Sequence, residues 1–196
     1  MSDAPSISTR VFLVLVVWFS LVFGLGVAGV LEQPPRPAIP IVLALSTGTL
    51  LWLSRRGTAL AGFVAALDVR VLVGLHIVRA PIGLWFLEAD ARGTLPGSLA
   101  QLAGWGDLAV GGAAVLAVLL PAQRPWTRRV LAAWNVLGLL DILAVVITAQ
   151  RLLLFAPDRL ATRIGHPFVL LPLFVVPLVL ASHLRVLGRL RATAAA

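Results

Sequence analysis

Long apolar runs separated by short clusters of Arg, Pro and Gly make up most of the chain, and runs of that length predict helices that cross a bilayer. Six such spans are expected, at about residues 11–31, 41–54, 68–88, 101–120, 130–149 and 167–187. The first run, Val11 to Leu31, exceeds the roughly 7–15-residue core of a secretory signal and ends Val30-Leu31-Glu32-Gln33, without a small-x-small cleavage site. It is therefore read as a retained span. Prolines at 34, 35, 37 and 40 make the tight connection that follows. The second span is short and carries Ser46, Thr47 and Thr49, whose hydroxyls can bond back to backbone carbonyls. Thr58 to Leu67 is apolar and reads either as a surface helix or as the first turns of the third span.

The later spans carry polar groups at helical spacing. On the third, His76, Arg79, Ala80 and Gly83 share a face, and Pro81 lacks the N–H that would bond the carbonyl of Ile77, which predicts a kink beside Arg79. Gly104, Asp107, Gly111 and Ala114 form a small, polar face on the fourth, fit for close helix contact. On the fifth, Trp134, Asn135, Gly138, Asp141, Val145 and Thr148 fall on one arc and are expected to line the interior. Prolines 167, 172 and 177 predict a bent sixth span, with His183 near its end. Between spans, Ala89 to Ala100, with Asp90, Arg92, Gly93, Pro96 and Gly97, reads as a turn-rich external loop. Pro121 to Arg129 reads as a basic loop with Trp126 at headgroup depth, and Gln150 to His166 as a polar loop in which His166 is a turn residue.

Composition agrees with a membrane chain: 60% of residues are hydrophobic, 12% are charged, and mean hydropathy is +1.00. All 16 basic residues are Arg, against 8 acids, for a net charge of +8. In a soluble protein that excess would point to nucleic acid. Here the arginines flank apolar segments, so they fix orientation and meet lipid headgroups, and no nucleic-acid partner is expected. An even number of spans places both termini on one side. Taking that side as cytoplasmic assigns it Arg10, Arg55, Arg56, Arg70, Arg124, Arg128, Arg129, Arg185, Arg189 and Arg191. Arg36, Arg92, Arg151, Arg159 and Arg163 then lie outside. The expected fold is thus all-α: one integral membrane bundle of six transmembrane helices over residues 1–196, both termini cytoplasmic.

Several chemistries are excluded by composition. Without Cys there is no disulfide, thiolate metal site or cysteine nucleophile; without Lys there is no Schiff base; without Tyr there is no phenolic proton donor. What remains centres on Arg79. A mid-membrane Arg costs roughly 2.5–3.5 kcal/mol on insertion scales and requires an interior partner. The candidates are Asp107, Asp141, Asn135 and His183. From a rise of about 1.5 Å per residue, Arg79 and Asp141 are expected near mid-membrane, with Asp107 outward of them and His76, Asn135 and His183 inward.

Three functional readings follow. Arg79, Asp107, Asn135 and Asp141 would line a cavity that binds or conducts a small ligand or protons, unless Arg79 and its acid only hold helices in register. His76 and His183, at similar expected depth, would be axial ligands of a b-type haem in an electron-transfer protein, or ligands of another metal. The chain would otherwise be a non-catalytic subunit or assembly factor with a membrane-protein partner or a second copy. Gly104-Trp105-Gly106-Asp107 also matches the GxGD string of intramembrane aspartyl proteases, with Asp141 as second carboxylate, although in those families that aspartate comes second and here it comes first.

The segment from Trp134 through Asn135 and Gly138 to Asp141, with Val176-Pro177-Leu178 and Ser182-His183-Leu184, resembles a group of small uncharacterised bacterial six-span membrane proteins. The resemblance covers mainly the third to sixth spans. It implies six spans and carries no activity with it.

Overall fold

A computed structural model describes residues 6–30, 37–55, 57–121, 124–157, 160 and 167–192. The readings for prolines 34 and 35, Arg36, Arg56, Arg159, Arg163 and His166 lie outside the described residues. Every regular element among the described residues is helical: α1 (Ile7–Val27), α2 (Ala38–Leu53), α3 (Ala59–Ala66), α4 (Val69–Gly74), a 3-10 turn (Leu75–Val78), α5 (Arg79–Ala91), α6 (Gly97–Leu119), α7 (Pro125–Phe155), a π turn (Leu171–Val175) and α8 (Val176–Ala192). Five stretches are long and apolar enough to cross a membrane: Ile7–Val27, Val69–Ala91, Gly97–Leu119, Trp126–Phe155 and Leu171–Arg191. These lengths make the chain a multi-pass membrane protein. Helix α2 is apolar but shorter, at 16 residues.

The helix ends differ from the apolar runs where a local group overrides hydropathy. Ser6 caps α1 by accepting from the Thr9 N–H, so α1 starts four residues before the apolar run. Helix α3 stands apart from α4 because Leu67 is extended and Asp68 caps α4 through the Arg70 N–H. Its residues are thus a separate short helix, the first of the two readings. Helix α7 begins at Pro125, where a missing N–H costs nothing, and runs 31 residues, so Gln150 to Phe155 belongs to the helix rather than to a loop. The expected distortion beside Arg79 takes the form of the 3-10 turn, in which the Arg79 N–H bonds the His76 carbonyl. In the last span, where a bend is expected, the Val176 N–H reaches the Leu171 carbonyl across Pro172 in a π turn.

The chain groups into two compact units, residues 1–67 with 164–178, and residues 68–163 with 179–196. In the first, Val22, Val169 and Leu173 form a buried cluster flanked by Trp18 and Leu170. The Phe174 ring meets Trp18 edge-on at 5.0 Å and Phe19 at 5.4 Å.

The second unit holds every polar candidate named above. Its apolar core joins Val73, Val110, Ala114, Ala117, Leu131 and Trp134. Trp134 Nε1 donates to the Val110 carbonyl at 3.1 Å, which ties α7 to α6. Helices α5 and α6 approach backbone to backbone through glycines. A Cβ on Gly83 would lie 2.6 Å from both the Gly104 carbonyl oxygen and the Leu108 nitrogen, and one on Gly111 would collide with the Ala80 backbone. This contact sets Arg79, first residue of α5, against Asp107 in the middle of α6. The α5–α6 turn itself uses Gly93 at φ +63°, a left-handed position suited to glycine.

Candidate functional site

Arg79, the first residue of α5, is 1% exposed, and α6, α7 and α8 each give its guanidinium a polar partner. Its Nε donates to Asp107 Oδ1 at 2.6 Å, and its Nη2 donates to Asp141 Oδ2. Sequence left open which acid answers the arginine; the structure gives it both. The planar fork of donors explains how, since Nε serves the carboxylate on α6 while Nη2 serves the one on α7. Nη1 completes the set with the Gly138 carbonyl at 3.3 Å and His183 Nε2 at 3.5 Å.

The hydrogen bonds around His183 fix its tautomer. A guanidinium only donates, so Nε2 accepts, and Nδ1 carries the hydrogen that it donates to Asn135 Oδ1 at 2.9 Å. The Asn135 amide returns a bond from Nδ2 to the His183 carbonyl at 3.1 Å, pinning α7 to α8. Both residues are fully buried. His183 is thus a neutral imidazole sharing the arginine with two acids.

His76 lies against His183 with ring centroids 4.0 Å apart, and the Trp134 and His76 rings meet in a T-shaped pair at 5.1 Å. Ser182 donates to the Val179 carbonyl at 2.9 Å and so accepts from His76 Nε2 at 2.8 Å. This leaves His76 Nδ1 as a buried acceptor without a hydrogen-bond partner.

Glycines make room for these groups. A Cβ on Gly106 would overlap the Asp141 carboxylate, and one on Gly138 would lie 2.7 Å from His183 Cε1. Both are needed for the approach of a charged or ring group to a helix backbone.

The expected layering into outer, middle and inner tiers is corrected: Arg79 touches Asp107, Asp141 and His183 at once. The reason lies in the helix ends. Helix α6 begins at Gly97 and α8 continues to Ala192, which moves Asp107 and His183 away from the boundaries assumed for them. A second correction concerns haem. Two axial histidines stand on opposite faces of a macrocycle. Here the imidazoles are packed against each other, and each spends a ring nitrogen on Ser182, Asn135 or Arg79, so these residues do not fit a bis-His haem. Among the described residues no group of three or more His, Asp or Glu is placed to hold a metal ion. Nor do Asp107 and Asp141 form a water-activating dyad, since each directs an oxygen at Arg79.

Ser182, Gly106 and the Gly138 carbonyl are site groups to which sequence reasoning gave no role. Ser182 carried one signal, its place next to His183 on a helix already expected to face inward. Gly106 carried another, being two residues from Gly104 and next to Asp107.

No curated protein and no solved structure matches the chain. A family model described as a domain of unknown function, DUF8737, matches residues 36–191, a range that spans α2 to α8 and every residue of the cluster. Because that match covers most of the sequence, the chain belongs to the DUF8737 family.

Proposed function

We propose that the protein is a six-span protein of the bacterial inner membrane, both termini cytoplasmic, in which the Arg79 cluster binds and exchanges a proton. For the topology, α2 supplies the sixth crossing: 16 residues reach about 24 Å, short of a roughly 30 Å hydrocarbon layer by an amount that local thinning absorbs. The two-to-one excess of arginines on one side of such a bundle supports the orientation.

The observation that carries the proton reading is the charge count. One guanidinium faces two carboxylates, and the histidine beside it is held neutral by its bonds. With both acids ionised the cluster keeps one uncompensated negative charge in a region that solvates charge poorly. A proton on one carboxyl removes that charge. Asp141 is the exchanging group, because its side chain is 16% exposed while those of Asp107 and Arg79 are 6% and 2%. Arg79 then holds whichever carboxylate is ionised, and loses or regains a full ionic partner as the proton moves.

Infrared difference spectroscopy across a pH step, on the protein in lipid, tests this directly. A carboxyl band that appears with acid in the wild type and is absent from folded Asp141→Asn is expected. An identical spectrum in the two proteins would refute the assignment. Proteoliposomes loaded with a pH-sensitive dye then report whether exchange reaches both sides.

A second reading has its own support. Glycines 83, 104, 106, 111 and 138 fill the space around the cluster with backbone, as a packing latch in a non-catalytic subunit or assembly factor would require. That reading expects stable co-purification with a larger membrane complex and no pH-dependent carboxyl band.

A further inference from the structure

At the far end of α6 and α7 from the basic loop lies a recess of about 410 Å³, lined by Ser98, Thr148, Arg151, Leu152, Phe155 and Ala156. Its volume falls within the roughly 300–1,000 Å³ of small-molecule sites. Arg151 is solvent-exposed and has no ion-pair partner among the described residues. The two described acids at this end are already engaged, Glu88 with Arg92 at 2.6 Å and Asp90 with the Gln101 amide at 2.9 Å. Neither the Ser98 nor the Thr148 hydroxyl is engaged by a described residue. The recess therefore offers one uncompensated cation and two hydroxyl donors beside an apolar wall, of which Phe155 is 82% exposed.

Depth decides the class of ligand. Arg151 is 23 residues beyond Arg128 on one helix, about 35 Å at the α-helical rise, while the hydrocarbon layer is about 30 Å thick. With Arg128 among the headgroups of one leaflet, Arg151 stands among those of the other. We propose that this recess binds the phosphate of an acidic membrane lipid. Arg151 would pair with the phosphate in the bidentate manner of a guanidinium, Ser98 and Thr148 would donate to its remaining oxygens, and Leu152 and Phe155 would lie along the start of the acyl chains. The site is separate from the Arg79 cluster and does not depend on the proton reading.

The test uses the full chain in detergent, titrated separately with phosphatidylglycerol, diacylglycerol and inorganic phosphate, with bound lipid counted by native mass spectrometry. One phosphatidylglycerol held more tightly than any diacylglycerol is expected. Arg151→Gln should weaken that site about tenfold or more, the scale of one lost charged hydrogen bond. Arg189→Gln, at the opposite end, should leave it unchanged. Thr148→Val gives a second variant, expected to weaken the site severalfold, should Arg151→Gln prove unstable. Equal retention of phosphatidylglycerol by wild type and both variants would overturn the proposal. Diacylglycerol binding as tightly as phosphatidylglycerol would do so too, as would a site that takes inorganic phosphate but no lipid.

Discussion

Replacing Gly106 by alanine adds one methyl group at the point where α7 delivers its carboxylate to the arginine. The new carbon would overlap Asp141 Oδ1 and lie 2.7 Å from Cγ and 3.1 Å from Oδ2. Helix α6 cannot yield, because Gly104 and Gly111 lock it against α5, so Asp141 must swing off Arg79. Removing one partner of a buried ion pair costs about 3–5 kcal/mol. Asp107 keeps its 2.6 Å bond to the guanidinium, which places the loss near the lower end. Alanine returns up to about 1 kcal/mol of helix propensity. The net expectation is a destabilisation of about 2 kcal/mol, read by circular dichroism as unfolding in mixed micelles with increasing denaturing detergent. Gly112→Ala is the matched control. No heavy atom lies within 4 Å of its added carbon, so it should be neutral or stabilising. In the Asp141→Ala background the Gly106→Ala penalty should vanish, a coupling of about 2 kcal/mol. If Gly106→Ala is as stable as Gly112→Ala, or the two changes simply add, then Asp141 does not occupy the position described and the cluster reasoning fails.

Arg79→Leu leaves two buried carboxylates with no cation, so a loss of about 3–5 kcal/mol is expected, seen as failure to recover folded protein from membranes. Arg79→Lys keeps the charge but lacks the fork that reaches both acids, and should be intermediate in the same assay. Asn135→Leu strips His183 of the acceptor for its Nδ1–H and of the donor to its carbonyl; a destabilisation of about 3 kcal/mol is expected in the unfolding titration. Trp134→Phe keeps the ring packing and removes the Nε1 bond to Val110, for an expected loss of about 1 kcal/mol by the same measurement.

Much of the architecture was legible in the chain itself. An apolar run flanked by arginines has few places to go but across a bilayer, and a charged residue inside such a run must find company, so Arg79, Asp107 and Asp141 stood out from their solvation chemistry alone. The faces on α5, α6 and α7 followed from helical spacing, because small residues and polar residues recur together there. Sequence could not supply the choice between Asp107 and Asp141, the tautomer of His183 or the packing of His76 against it. Those depend on where α6 and α8 begin and end, which caps and prolines decide over a few residues, and on how closely glycine backbones let neighbouring helices approach. A shift of one turn moves a side chain about 5 Å along the axis, enough to make or break every bond to the guanidinium. Solvation thus determined which residues must be buried together, while the contact distances between helices, visible only in the tertiary structure, decided which atoms meet.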